Sequence, residues 1–260
     1  MMTKFGAQIY LPKAKSKSEI RSLFGFLKSS RCEVAELTAM PTCRLKELAE
    51  ISKESGVSIC STRMPLERLQ NDIDKIADAL SVYHCNIVGC GTVPFEFQYK
   101  TLDDVKRMAE FLNRISQKFH DRNIKLMYYN RKADYKRIEG RAVIDHLLEL
   151  TLPRVFVSLD VYLANAHGAI VEEQIDHLGS RLVVLHLKDA KPTLWGLAKT
   201  IGAPGDGVLD FKSYLQKATQ NGTPYAVIET AHTNRPRETV KRGMKFLNEL
   251  RAIETEPDKK

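Results

Sequence analysis

No apolar run in this 260-residue chain approaches the ~20 residues needed to cross a bilayer. The opening Met1-Met2-Thr3-Lys4-Phe5-Gly6 also lacks the apolar stretch of a secretory leader. Cysteine is scarce: Cys32, Cys43, Cys60, Cys85 and Cys90 are odd in number and scattered, with no CxxC pair. That pattern excludes a disulfide scaffold and a zinc knuckle, and it is what reduced core thiols of a cytoplasmic protein look like. No glycine-rich phosphate loop follows the first β-like run, because 11–16 reads Leu-Pro-Lys-Ala-Lys-Ser, with neither GxGxxG nor GxxxxGK[ST]. Internal repeats and interdomain linkers are absent as well.

What remains is an ordinary globular composition, 43% hydrophobic and 28% charged, with 14 Gly and 10 Pro. Lys and Arg outnumber Asp and Glu by 40 to 32, for a net charge of +8. An excess of that size permits nucleic acid or an anionic small molecule as partner. The basic residues, however, alternate with acids along helical stretches, as in Lys46, Glu47, Glu50 and Lys53, or Asp103, Asp104, Lys106 and Arg107. Solvated helix faces account for them, so neither a nucleic-acid nor a membrane partner is expected.

Short runs rich in Val, Ile, Leu and Tyr recur at 5–11, 34–38, 57–60, 86–89, 124–129, 155–159, 182–187 and 225–228. They read as strands buried on both faces. Amphipathic stretches separate them, at 18–28, 44–55, 66–82, 101–119, 141–150, 169–178, 211–219 and 237–251. In 101–119, Leu102, Val105, Met108, Ala109, Leu112, Ile115 and Phe119 keep to spacings of three and four, one helix face. Strict βα alternation calls for parallel strands with right-handed crossovers. Eight units in about 250 residues is the count of a closed (β/α)8 barrel. An open sheet has the same periodicity, but the missing phosphate loop argues against a nucleotide-binding one. A single α/β barrel domain over 1–253 is expected, with a charged tail at 254–260.

Barrel enzymes work at the C-terminal ends of their strands. The sixth run there ends in Asp160, the seventh runs into His186, Leu187, Lys188 and Asp189, and the eighth ends in Glu229. The fifth is followed by Asn130, Arg131 and Asp134, the third by Arg63, while the first carries Gln8 and the second Glu36. Each has a plainer reading. Asp160 can cap the next helix, His186 can be a hydrogen-bonded core residue, and Glu229 can pair with Arg235 or Arg237. Taken together, Asp, His and Glu on three successive strands would converge at one mouth and suit a divalent cation.

These residues carry a resemblance. The stretches Leu159-Asp-Val-Tyr162, Leu185-His-Leu-Lys-Asp189, Gly205-Asp-Gly-Val-Leu-Asp-Phe211 and Ile228-Glu229 resemble the sugar phosphate isomerase/epimerase branch of the xylose isomerase-like TIM barrels. That group also contains inosose dehydratases. Weaker matches at Gly6-Ala-Gln8 and 101–106 extend it over nearly the whole chain. The resemblance implies a (β/α)8 TIM barrel and one divalent ion (Mn2+, Mg2+, Co2+ or Zn2+) held by Asp160, His186, Glu229 and a strand-five carboxylate. At strand five the chain departs from the pattern. Relatives read Tyr-His-Asn-His and then Glu-Phe, where this chain has Tyr128-Tyr129-Asn130-Arg131 and then Asp134-Tyr135. Asp134 is the candidate fourth ligand; relatives with the ligand on the strand itself would place it at Met127.

The activity so implied is isomerisation or epimerisation of a small keto-sugar, polyol or sugar phosphate through an enediolate, with dehydration as the alternative outcome. Glu229 is the first candidate base, Asp134 the second, and Lys188 a donor to the enediolate oxygen. Gln8, Glu36, Arg63, Asn130 and Arg131 are candidate substrate contacts, Arg131 for an anionic group on the substrate or, alternatively, within a basic surface loop. The long connection 191–208, holding Trp195, Gly196, Gly202, Gly205 and Gly207, reads as a lid or a packed loop. A homo-oligomer is compatible with all of this. Two other readings are weighed: a DNA-repair endonuclease on the same fold, which would need many more His and acidic ligands, and a non-catalytic sugar-binding barrel or partner subunit.

Overall fold

The computed structural model describes residues 2–11, 16–41, 44–90, 98–192 and 199–255. In chain order the strands are β1 (Lys4–Ile9), β2 (Val34–Leu37), β3 (Ser58–Met64), β4 (Ile87–Cys90), β5 (Lys125–Tyr129), β6 (Arg137–Ile138), β7 (Arg141–Ala142), β8 (Val155–Asp160), β9 (Leu182–Leu187), β10 (Asp189–Pro192), β11 (Lys199–Gly202) and β12 (Tyr225–Ile228). Eight of them close into a barrel in the order β1-β12-β9-β8-β5-β4-β3-β2. Every pairing around the ring is parallel. The eight barrel strands are the eight expected from sequence, and the chain is a (β/α)8 TIM barrel. The remaining strands form two antiparallel hairpins at the mouth, β6 with β7 and β10 with β11; runs this short carry no periodicity to read.

The helices are α1 (Lys17–Ser29), α2 (Leu45–Ser55), α3 (Leu66–Asn71), α4 (Ile73–Val82), α5 (Leu102–His120), α6 (Val143–Leu150), α7 (Val161–Ala166), α8 (Val171–Leu178), α9 (Phe211–Gln220) and α10 (Pro236–Thr255). Capping boxes start two of them. Ser16 and Glu19 close the first turn of α1, and Thr101 and Asp104 that of α5. The α5 residues named above, from Val105 to Phe119, are buried as their spacing requires. The stretch 66–82 is two helices, broken at Asp72, and α7 is an additional turn directly after β8.

One face of each strand packs on the helices and the other fills the barrel. Val34, Cys60, Ile87, Met127, Val184 and Val227 form an apolar layer inside it. Two residues further along the strands, alternation brings Glu36, Gly89, Tyr129, His186 and Glu229 to the next layer, toward the C-terminal mouth. Space at Gly89 is tight, since a Cβ there would stand 3.0 Å from Met127 Cε and 3.5 Å from Arg63 Cγ. Between β2 and β3 the register slips at Ala35/Glu36, so that Glu36 faces Ser61.

Above the mouth, Asp189 organises the β11–α9 connection. Its carboxylate accepts from the backbone N–H groups of Gly205 (3.0 Å), Gly207 (2.7 Å) and Leu209 (3.1 Å). Gly207 is required there, because a Cβ would lie 2.3 Å from Ala190 O. Two of the stretches that carry the family resemblance are therefore tied to each other through Asp189, whose role is architectural. Of the connection 191–208, residues 193–198, including Trp195 and Gly196, lie outside the described residues, as does Cys43; the described remainder is the β10–β11 hairpin and the Asp189-bound loop. Of the tail expected at 254–260, residues 256–260 also lie outside them, and α10 runs through Thr255.

Candidate active site

Two charged networks meet at the C-terminal mouth. The first centres on Glu36, fully buried on β2. Gln8 Nε2 donates to its Oε1 at 2.7 Å and Ser61 Oγ to its Oε2 at 2.6 Å. His186 Nε2 lies 2.9 Å from Oε1, and so does Arg63 Nε. Arg63 Nη2 in turn stands 3.0 Å from His186 Nε2. Burial alone would raise the Glu36 carboxyl, but His186 and Arg63 hold it well below the usual carboxylate range.

The second network joins Asp160 and Glu229. The Tyr129 hydroxyl is within hydrogen-bond distance of both, 3.0 Å from Asp160 Oδ2 and 2.8 Å from Glu229 Oε2. Lys188 Nζ forms a close ion pair with Asp160 and lies 3.3 Å from Glu229 Oε2. Burial would raise the Glu229 carboxyl, but Lys188, His186 and Arg63 lower it. Burial would lower the Lys188 ammonium, and the two carboxylates raise it instead. The networks are stacked together: Arg63 Cζ lies 4.1 Å over the Tyr129 ring, whose centroid is 5.0 Å from that of His186. Asp160 caps α7, as its plainer reading had it, since its Oδ1 accepts from Leu163 N at 3.0 Å, while its Oδ2 faces Lys188. Glu229 does not pair with Arg235 or Arg237; Arg235 reaches Glu238 and Arg237 stacks over Phe26.

Asp134 belongs elsewhere. It closes a 3-10 turn after β5 and is fully buried. It accepts from the Tyr128 hydroxyl at 2.8 Å and from Arg131 N at 2.6 Å. Burial pushes its carboxyl up to about 6, against the pull of Arg131. Arg131 donates to the Tyr99 hydroxyl at 2.7 Å and the Tyr128 hydroxyl at 3.1 Å. Its guanidinium is thus engaged by protein groups, and the loop around it is an ordered turn and hairpin. Asn130 is also structural in this arrangement: Oδ1 accepts from Asp160 N at 2.8 Å and Nδ2 donates to the Tyr135 hydroxyl at 2.7 Å.

A divalent ion needs three or four converging donors. Asp160 and Glu229 converge, but the Lys188 ammonium and the Tyr129 hydroxyl are bound to both of them. His186 Nε2 is turned to Glu36, and Asp134 is held by Tyr128 and Arg131. Among the described residues no group of three or more His, Cys, Asp or Glu is arranged to hold a metal. The expected set of Asp134, Asp160, His186 and Glu229 is therefore not assembled as one ligand sphere, and the arrangement does not fit the ion. The physical reason lies on β5, which turns Met127 into the apolar layer and Tyr129, a hydrogen-bond donor, toward the carboxylates.

Sequence reading missed three participants, Tyr129, Ser61 and His232, and the contacts of a fourth. Tyr129 was hidden inside an apolar-looking strand, and Ser61 depends on the register slip. Lys188 was singled out, but not its ion pairs. His232, three residues after Glu229, is half-buried on the β12–α10 loop. Both its ring nitrogens lack a hydrogen-bond partner, and burial together with Lys188 lowers its pKa. The signal for His232 was available: a histidine directly behind a strand-end carboxylate.

A family model described as a xylose isomerase-like TIM barrel matches residues 26–250. Among solved structures, the chain is similar to a sugar phosphate isomerase/epimerase from Parabacteroides distasonis, with TM-score 0.77 and 16% identity over 95% of this chain and 94% of that one. It is similar to a 3-keto-D-glucoside 4-epimerase from E. coli, with TM-score 0.70 and 17% identity over 95% and 99%. A probable 3-DHS dehydratase from Bacillus anthracis gives TM-score 0.71 and 15% identity over 94% and 98%. At such identities the likeness establishes the shared fold. No curated protein matches the chain.

Proposed function

We propose that this chain, which belongs to the xylose isomerase-like TIM barrel family, is an enzyme that moves a proton next to the carbonyl of a small keto-sugar, polyol-derived ketone or sugar phosphate. The observation that carries the reading is the convergence of Glu229, Asp160, Lys188 and Tyr129 at the barrel mouth. A carboxylate for the proton and two donors for the oxygen that becomes negative are what enolisation requires. The sugar epimerases and the dehydratase among proteins of this fold support the substrate class.

Glu229 takes the proton from the carbon beside the carbonyl, and the electron pair moves onto the carbonyl oxygen. Lys188 and Tyr129 hold that oxygen; Asp160 holds Lys188. Return of the proton to the opposite face gives the epimer, and return to the neighbouring carbon, after a proton shift between the oxygens, gives the isomer. Loss of a β-hydroxyl as water from the same intermediate gives dehydration. Gln8, Glu36, Arg63 and His186 hold one wall of the site in position. No step passes through a metal, because the donors do not fit one. The described cysteines are unpaired by disulfides and buried, which accords with a reducing compartment such as the cytoplasm, and among the described residues no helix is long and apolar enough to cross a membrane.

The test is exchange of substrate carbon-bound hydrogen with solvent. Ketopentoses, ketohexoses, their phosphates and 3-keto-glycosides are incubated with the protein in D2O and followed by proton NMR. Loss of one C–H signal by wild type, slowed at least ~100-fold in Glu229→Gln, is the expected result. No exchange with any of these compounds would overturn the reading.

A further inference from the structure

We infer that Lys188 is the resident cation of this site: its ammonium takes the place between Asp160 and Glu229 that a divalent ion would need, and Arg63 neutralises the remaining carboxylate. The inference deepens the proposed function, and its test does not use turnover.

The ion pairs carry it. Three buried carboxylates face the mouth: Glu36, Asp160 and Glu229. Isolated buried carboxylates at such separations repel one another and lose hydration, so each needs a positive partner. Arg63 Nε stands 2.9 Å from Glu36. Lys188 is ion-paired with Asp160 and lies 3.3 Å from Glu229, and the Tyr129 hydroxyl supplies a further donor to both. Two fixed positive charges thus offset three negative ones, with the His186 ring against Glu36. A divalent ion entering between Asp160 and Glu229 would have to expel the ammonium and displace the Tyr129 hydroxyl from both carboxylates.

The geometry at β5 points the same way. A ligand from this strand would add the further anionic donor that a dication needs beside Asp160 and Glu229. Met127 carries none and packs with Val34, Cys60 and Ile87, and Asp134 spends its charge on Arg131 and Tyr128. A monovalent ammonium with mobile donors suits an oxygen that turns negative only during reaction. The ligand class that follows is a carbonyl compound whose oxygen accepts from Lys188 and Tyr129.

The inference predicts that removing the ammonium creates a metal site. Mn2+ and Zn2+ are titrated separately into purified, EDTA-stripped wild type, Lys188→Met and Lys188→Gln by isothermal calorimetry, with elemental analysis after gel filtration. The expected result is no stoichiometric ion in wild type and no shift of its Tm with 1 mM of either metal (about ten times a 100 µM Kd, which would add a visible RT ln(1 + [L]/Kd)). At least one folded Lys188 variant, checked by circular dichroism, then binds about one ion per chain, at least tenfold more tightly than wild type. One ion per chain bound by wild type and lost in Asp160→Asn would overturn the inference. Folded variants that bind no better than wild type would overturn it too, since Lys188 would then not be what holds the place. If both variants fail to fold, the wild-type titration decides alone. Solvent exchange with a keto-sugar is scored independently, so a metal-binding barrel that still enolises its substrate separates failure here from failure of the proposed function.

Discussion

Glu36 on β2 and His186 on β9 come from positions 150 residues apart and meet at 2.9 Å inside the barrel, both fully buried. Gln8, Ser61 and Arg63 complete the ring around the carboxylate. Glu36→Gln keeps the shape but leaves Arg63 without its counter-charge. Removing one partner of a buried ion pair costs roughly 3–5 kcal/mol. A loss of about 3 kcal/mol in urea unfolding is expected, against about 1 kcal/mol for Ser61→Ala, which removes one hydrogen bond. Equal and small losses in both would show that the ion pair does not hold this wall.

Tyr129→Phe separates the hydroxyl from the ring. The ring contacts with Arg63 and His186 remain, so stability should fall by only about 1 kcal/mol. The donor to the reacting oxygen is lost, and removal of one such donor costs about 10²–10³ in kcat. Steady-state kinetics on whichever keto-sugar passes the exchange test would check this, and an unchanged kcat would assign Tyr129 a purely structural role.

His232 has two unpartnered ring nitrogens beside the Glu229 strand end. If it returns the proton on the face opposite Glu229, His232→Asn lets the substrate C–H exchange with D2O while net conversion falls by about 10² or more. Exchange and conversion that fall in parallel would instead mark His232 as a support for the loop.

Asp134 is a carboxyl pushed up in the fold, to about 6. The unfolded chain ionises it near 3.9, so between about pH 4 and pH 6 the folded state binds the proton more tightly. Its contribution is fully present below the unfolded pKa and is lost as pH rises through that window. Asp134→Asn does not titrate. The stability of wild type relative to this variant is therefore expected to fall by on the order of 2 kcal/mol from pH 4 to pH 6, measured by chemical unfolding at each pH. A constant or rising difference would show that Arg131 keeps the carboxyl ionised throughout.

Much of the architecture was legible before any coordinates. All eight barrel strands lie where short apolar runs stand between amphipathic ones, because a parallel strand covered on both faces admits few polar residues. The ends of β9 and β12 fall where expected, and the others shift by at most four residues, as at β3, which begins one residue later than expected and runs on to Met64. Asp160, His186 and Glu229 could be picked out because a charged residue that stops an apolar run has few places to go except the mouth. The short hairpins and α7 were not legible, since elements of two to six residues show no period.

The sequence by itself determined the eight alternating βα units and which strand ends carry charge, because hydrophobic periodicity is a local property of the chain; closure into a ring is shown by the strand pairing. Which charges touch was decided only by tertiary structure. That Tyr129, not Met127, reaches the carboxylates depends on the layer at which β5 enters the barrel. That Glu36 meets Ser61 depends on one slipped register, and that Lys188 lies between Asp160 and Glu229 depends on the ring order β12-β9-β8. A pairing across the barrel depends on register and closure, which no local pattern encodes. For that reason the family's metal ligands could be matched along the chain while the folded site shows an ammonium between them.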